Sequence, residues 1–363
     1  MSLADGLRAS ETAGLRADPL APVRAWLWLT LILVLAMITV GGATRLTGSG
    51  LSITEWRPVT GALPPLNAAD WLAEFERYKL IPQYELLNKG MTLGEFKFIY
   101  WWEWSHRQLG RLIGFVYLAG FVWFAIRRVV SLRATALLFG MGLLLGLQGA
   151  IGWIMVASGL QPGMIAVAPV KLTLHLVFAS LFLASLAAMA TAMTPPRATE
   201  TPASAGLKTA AWIVAALVLL QIALGGLVAG SRAGLIYNTW PLMDGRLAPP
   251  ADTLFSVTPW IENFVDNLAL VQLNHRLCGY ALLVVAIWHA VSSSRALAGS
   301  SFARRARAVA GIAGAQAILG VATLLLAVPL WAGLAHQALA MVVLVMATIH
   351  VARAANVRVA ARA

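Results

Sequence analysis

Eight stretches of the chain stay apolar for about 20 residues each, long enough to cross the hydrocarbon core of a bilayer as a helix. They fall near 24–43, 106–127, 134–156, 171–193, 209–230, 270–291, 307–329 and 332–353. Backbone groups in lipid must satisfy one another, so runs of this length predict helices. Polar residues concentrate in two long connections, 44–105 and 231–269, and in short basic segments. Within the first connection, W-L-A-E-F-E-R-Y-K-L and L-N-K-G-M-T-L-G-E-F-K-F-I-Y-W-W mix apolar and charged positions. Both predict short amphipathic helices at the interface, capping a cavity.

The pattern then repeats. At a constant offset of 184, Gly41, Gly42, Gly50, Leu51, Trp56, Gly61, Leu63 and Pro65 fall on Gly225, Gly226, Gly234, Leu235, Trp240, Gly245, Leu247 and Pro249. His106-Arg107 and Gly110 fall on His275-Arg276 and Gly279 at an offset of 169; with other offsets, Gln148 and His175 fall near Gln316 and His336. The predicted fold is an all-α integral membrane protein with eight transmembrane helices in two pseudo-symmetric four-helix bundles. Each half has an even number of spans, so the relating axis runs along the membrane normal. The expected units are residues 1–193, with the long outer loop 44–105, a Pro/Ala/Thr-rich linker at 194–208, and residues 209–363. Bundle cores of this kind hold cofactors.

Composition fixes the class: the 363 residues are 60% hydrophobic and 12% charged. The net charge of +12 would suit nucleic acid, but its distribution is a topology signal. Segments 1–24, 127–133, 193–208, 292–307 and 353–363 hold fifteen Lys/Arg and four acids (Asp5, Glu11, Asp18, Glu200). The positive-inside rule then places both termini in the cytoplasm of a bacterial inner membrane, with loops 44–105 and 231–269 outside. The first run lacks a clear small-residue cleavage site and is expected to remain as a span. One cysteine, Cys278, excludes an internal disulfide.

Against this apolar background four histidines stand out. His106 lies in E-W-S-H-R-Q-L-G-R and His275 in L-N-H-R-L-C-G-Y, while His175 and His336 each sit near the start of a later run. Ionisable residues inside a membrane are costly and mark function. Imidazoles from two facing helices are the usual ligands of a haem iron held in a bundle, which pairs His106 with His175 and His275 with His336. A helix–helix hydrogen bond, a proton relay or a transition-metal site are the other uses of such residues. Carboxylates and cysteines at the same depth are scarce, which disfavours a bare ion.

Glu103 lies three positions before His106, so a helix puts them on one face. Its counterpart in the second half is the neutral Gln272. That asymmetry suggests one reactive site and one electron-transfer or structural site. The alternative is that Glu103 pairs with Arg107 or Arg111 at the interface. Among the outer-side cations, Arg107 and Arg276 are the best candidates for haem propionates, since each directly follows a candidate ligand and Arg matches carboxylate geometry. His289 and His350 each lie 14 residues beyond a ligand candidate, about 21 Å along a helix. That spacing is similar to the stacked haems of cytochrome b, but Gly120 and Met189 stand at the matching places of the first half.

The segments G-G-A-T-R-L-T-G-S-G-L-S-I-T-E-W, E-F-K-F-I-Y-W-W-E-W-S-H-R-Q-L-G-R, N-T-W-P-L-M and N-H-R-L-C-G-Y resemble those of haem A synthases of the proteobacterial and mitochondrial type, over about residues 24–353. The resemblance implies eight spans in two four-helix halves and oxidation of the C8 methyl of haem O to a formyl group, giving haem A for the terminal oxidase. It implies a haem B cofactor on His275 and His336, substrate haem O on His106 and His175, and a part in catalysis for Glu103. Some members carry a cysteine pair in the first outer loop; this sequence has none there. A methyl-to-formyl conversion takes two successive oxidations at one carbon, followed by loss of water from a geminal diol. The residues alone do not separate hydroxylation by activated oxygen from electron removal followed by attack of water.

The expected partners are a haem O synthase, terminal oxidase assembly, membrane lipids and a redox partner, with no nucleic acid; a homo-oligomer is compatible with the sequence. Two other functions fit paired histidines: a cytochrome b-like electron carrier, or a haem transporter. The Glu103/Gln272 asymmetry disfavours the first. Four histidines near one membrane face disfavour the second.

Overall fold

The computed structural model describes residues 18–195 and 201–355. Segments 1–17 and 356–363, which carry part of the topology charge, and linker residues 196–200 lie outside the described residues. Among the described residues eight helices are long and apolar enough to cross a membrane: α1 (Ala21–Leu46), α2 (Leu93–Ile126), α3 (Leu132–Gly159), α4 (Pro169–Ala192), α5 (Ala205–Ser231), α6 (Leu268–Ala296), α7 (Ser301–Leu325) and α8 (Leu330–Ala354). Side-chain caps from Ser131, Ser204, Asn267 and Ser300 start α3, α5, α6 and α7 by accepting a first-turn N–H. Such caps satisfy donors that a helix leaves unpaired at its start.

One predicted boundary is wrong in an informative way. α2 begins at Leu93, not near residue 106. The second amphipathic segment of the long connection is therefore the first turns of α2, not a separate interfacial helix. Thr92 and Glu95 form a capping box that starts the helix there. Glu95, Lys97 and Glu103 lower the apolar content of these turns without interrupting the helix. His106 is thus well inside α2, and His275 two turns inside α6. The other amphipathic segment forms helix Ala68–Lys79, with a short helix Pro82–Leu87 after it.

Consecutive helices pack side by side: α1 on α2, α2 on α3, α3 on α4, and α4 back on α1. In the same way α5 packs on α6, α6 on α7, α7 on α8, and α8 on α5. The two rings meet where α4 touches α5 and α8, and where α8 touches α1. Buried side chains including Leu27, Phe182, Leu183, Val218, Leu282 and Met341 form one apolar cluster through both rings. Polar side chains pin the joins. Trp26 Nε1 donates to Val116 O at 2.9 Å, Tyr117 Oη to Leu138 O at 2.7 Å, and Gln337 Nε2 to Ile38 O at 2.6 Å. Arg45 Nη2 reaches the carbonyls of Ala229 and Gly230, both at 3.0 Å. In a bilayer such hydrogen bonds add to van der Waals packing between helices.

The long connection after α1 builds a second small core over one end of the first ring. Leu51, Trp71, Phe75, Tyr78, Phe96, Tyr100 and Val167 are buried together there. Gln83 ties it down through Gly48 O and Ile165 O, at 3.2 and 3.3 Å.

Candidate functional site

The four singled-out histidines come together two by two. His106 and His175 lie within electrostatic reach of each other, as do His275 and His336. Each ring rests against a glycine of an adjacent helix. A Cβ at Gly152 would lie 3.0 Å from Cε1 of His175, one at Gly225 3.1 Å from Cε1 of His275, and one at Gly320 2.7 Å from Cε1 of His336. At the fourth place a Cβ on Gly41 would lie 2.9 Å from Nε2 of His106. At Gly41 and Gly320 a Cβ would be closer than real Cβ atoms come, and at Gly152 and Gly225 the ring would have to give by a few tenths of an ångström, so each ring uses the space that glycine leaves.

Three of these rings share a second neighbour. Gln148 Nε2 donates to the carbonyl of His175 at 2.7 Å, Gln221 Nε2 to that of His275 at 3.0 Å, and Gln316 Nε2 to that of His336 at 2.9 Å. The Gln221 and Gln316 amides also stand 3.1 and 3.0 Å from Nδ1 of their histidines. Each glutamine precedes the cradling glycine by four residues, one helical turn: Gln148/Gly152, Gln221/Gly225, Gln316/Gly320. In α1 the matching residue before Gly41 is Met37. Sequence reading noticed Gln148 and Gln316 but not this Q-x-x-x-G device. The signal was there: the same spacing on the helix before each of three candidate ligands.

Beside the histidines lie two braces of like design. Glu103, 3% exposed, accepts from Ser52 Oγ and Ile53 N, both at 2.8 Å, and from Arg107 Nη2 at 2.6 Å. Arg107 also donates to Ile53 O at 2.7 Å and Glu55 O at 3.0 Å. In the second ring Gln272, 2% exposed, donates to Ala233 O at 2.8 Å and accepts from Arg276 Nη2 at 3.0 Å. Arg276 reaches Tyr237 O and Thr239 O at 2.9 and 3.0 Å. Each brace clamps the chain that leaves the preceding helix onto the helix bearing the histidine. The pairing of Glu103 with Arg107 is the alternative that the sequence left open. Arg111 instead donates to Arg57 O and Pro58 O, each at 2.9 Å.

His289 and His350, at the other end of α6 and α8, meet directly, Nε2 to Nε2 at 2.9 Å, both 1% exposed. Phe302 packs 4.6 Å from the His350 ring. This is the geometry of a hydrogen bond; an iron between the two nitrogens would need about 4 Å, two bonds of ~2 Å.

The donor sets suit haem. Each pair is two imidazoles on different helices, and among the described residues no three His, Cys, Asp or Glu side chains gather as ligands for a bare ion. The glycine rests allow close approach to the rings. Arg276 Nε is buried without a partner, as are the side-chain oxygens of Gln148, Gln221 and Gln316. Unpaired buried polar atoms of this kind point to a group that completes them.

The model of the cytochrome oxidase assembly protein family COX15-CtaA matches residues 24–348. The chain belongs to this family. A relative from Methylorubrum extorquens, named Heme A synthase, is 62% identical over 93% of this chain and 88% of its own length. Relatives of the same name from Methylobacterium sp. strain 4-46 and Rhodopseudomonas palustris strain HaA2 are 60% and 48% identical. They cover 92% and 95% of this chain and 92% and 93% of their own. All four histidines and both braces of this COX15-CtaA chain lie within the matched range.

Proposed function

We propose that this COX15-CtaA protein is a haem A synthase of a bacterial membrane, converting haem O to haem A by oxidising the C8 methyl group to formyl. The high identity to relatives of that name over nearly the whole chain carries the reading. Paired histidines resting on glycines support it from the side of the chemistry.

In this reading the rings α1–α4 and α5–α8 are the two halves of an internal repeat, with both termini cytoplasmic. His106 and His175 hold the iron of substrate haem O, and His275 and His336 that of a haem B cofactor. When bound, haem B supplies one-electron redox chemistry. Arg276, with its spare Nε, takes a propionate in the second half. Arg107 spends four of its five N–H groups on Glu103, Ile53 O and Glu55 O, and keeps one for the same purpose.

Among the described residues Glu103 is the one acid beside a histidine pair. Both of its oxygens are held, one by Arg107 and one by Ser52 and Ile53. A carboxylate fixed this way is a preorganised charge rather than a swinging proton carrier. It suits stabilisation of positive charge developing at the substrate carbon. Product haem A passes to terminal oxidase assembly, and a haem O synthase supplies the substrate.

The test is extraction and mass identification of haems from the protein purified out of cells that make haem O. Haem B together with haem O or haem A, near one each per chain, is the expected result. Haem B alone, at two or more per chain, would replace this reading with that of an electron carrier.

A further inference from the structure

The four histidine sites are built alike, with one exception. His175, His275 and His336 each receive a carboxamide N–H on their own carbonyl, from Gln148, Gln221 and Gln316. His106 has none: among the described residues its ring finds no hydrogen-bond partner, and Met37 stands where the glutamine would be. The replacement is positional and not only sequential. Met37 Cε lies 3.3 Å from where a Cβ on Gly110 would be, and Gln221 Nε2 lies 3.2 Å from the same point on Gly279. Gly110 and Gly279 each follow their histidine by four residues.

Ring orientation follows the same division. His175, His275 and His336 all turn Cε1 toward their glycine, whereas His106 turns Nε2. The anchors are also graded. Gln221 and Gln316 touch both the carbonyl and Nδ1 of their histidines, while Gln148 touches only the carbonyl and leaves His175 Nδ1 without a partner. So both histidines of the second pair are anchored twice, one histidine of the first pair is anchored once, and the last is not anchored.

Nε2 of Gln221 and of Gln316 stands against both the carbonyl and Nδ1 of one histidine, so a single carboxamide fixes the rotation of the ring relative to its own helix. A thioether cannot fill this role, since it has no N–H to donate.

We propose that Gln148, Gln221 and Gln316 are positioning residues that fix His175, His275 and His336 as ligands, and that Met37 leaves His106 as the displaceable ligand of its pair. This rests on the reading of the histidine pairs as haem ligands. It assigns exchange, with substrate entering and product leaving, to the His106 side of the first pair. The second pair, anchored on both sides, retains its haem.

The experiment uses the full-length protein in detergent, loaded with haem B as the probe at both sites. Release to excess apomyoglobin is followed by absorbance, and electron paramagnetic resonance reads the ligand geometry. Wild type is expected to release haem in two phases. Met37→Gln should slow the fast phase by about fivefold, the worth of one hydrogen bond, and shift its resonance toward that of the slow site. Gln221→Met should speed the slow phase by a similar factor and leave the fast phase alone. Met37→Leu, equally apolar, should change neither. A fast phase untouched by Met37→Gln, or slowed as much by Met37→Leu, overturns the proposal. Because haem B is the probe, a failure of the haem A synthase reading would leave these rates and spectra interpretable.

Discussion

The two histidine pairs share a construction and differ in what surrounds it. Around His275 and His336 the brace residue is neutral, Gln272 holding Arg276, and Gln221 and Gln316 hold the two histidines. Around His106 and His175 a buried carboxylate replaces the neutral brace, and a methionine replaces one anchor. On the reading proposed above, the first difference places a fixed charge beside the substrate and the second leaves one ring more loosely held. Two positions, Gln272 against Glu103 at the brace and Gln221 against Met37 at the anchor, carry that contrast.

The largest effect that would break this comparison is loss of the permanent site. His336→Ala should remove the more tightly held haem, seen as roughly half the haem per chain in a pyridine haemochrome assay. If His106→Ala removes the tight haem instead, the roles of the two halves are reversed. Next comes the charge. Glu103→Gln gives the first brace the chemistry of the second, since Gln272 already holds Arg276 with a neutral oxygen. Haem content should stay, and conversion of haem O to haem A should fall by about a hundredfold or more, as when a preorganised electrostatic group is removed. The reciprocal Gln272→Glu should leave conversion near wild type. Glu103→Ala is the poorer test, because it strands Arg107 and costs about 3–5 kcal/mol of stability.

The cradles give a smaller and more local effect. Gly320→Ala would place a methyl 2.7 Å from His336 Cε1, so the ring must tilt. The Soret band and haem retention of the second site should change while the first is unaffected. Gly311→Ala, on the same helix with open space around it, is the control and should change neither.

How much of this was legible in the sequence depended on the range of the signal. Hydropathy carried the eight spans, because lipid imposes its requirement on every residue of a run. The Glu103–Arg107 brace was foreseeable from a four-residue spacing, which is local on a helix. The start of α2 at Leu93 was not, since Glu95 and Lys97 look like a surface when only apolar content is weighed. Gln221 lies 54 residues from His275, and Gln148 lies 27 from His175. Only the packing of one helix on the next shows that these single polar residues in apolar runs serve a ring. The hydrogen bond between His289 and His350 likewise spans 61 residues.

The two long connections extend the contrast to its smallest effect. The first builds its own core, in which Tyr78 Oη donates to Gln83 at 3.0 Å and accepts from Asn88 at 2.7 Å. The second has a smaller core around Met243 and Leu254, and is pinned by Asn263 and Asn267 as well as by the Gln272–Arg276 brace. Burial holds the Tyr78 phenol above its ordinary value of 10.0. The folded cap therefore favours the protonated ring. Its stability is full below that value and is lost as pH rises through the raised one. Tyr78→Phe should cost about 1–3 kcal/mol of local stability, because it leaves Gln83 and Asn88 short of a buried partner. It should also weaken the alkaline dependence. Limited proteolysis of the 44–92 segment between pH 8 and 11 reads both effects. Wild type should become cleavable as the pH rises. The variant should be more susceptible at pH 8 and change less than wild type thereafter. If wild type is equally resistant at every pH, the first cap is held by its aromatic packing alone, and the two connections differ in size rather than in how they are fastened.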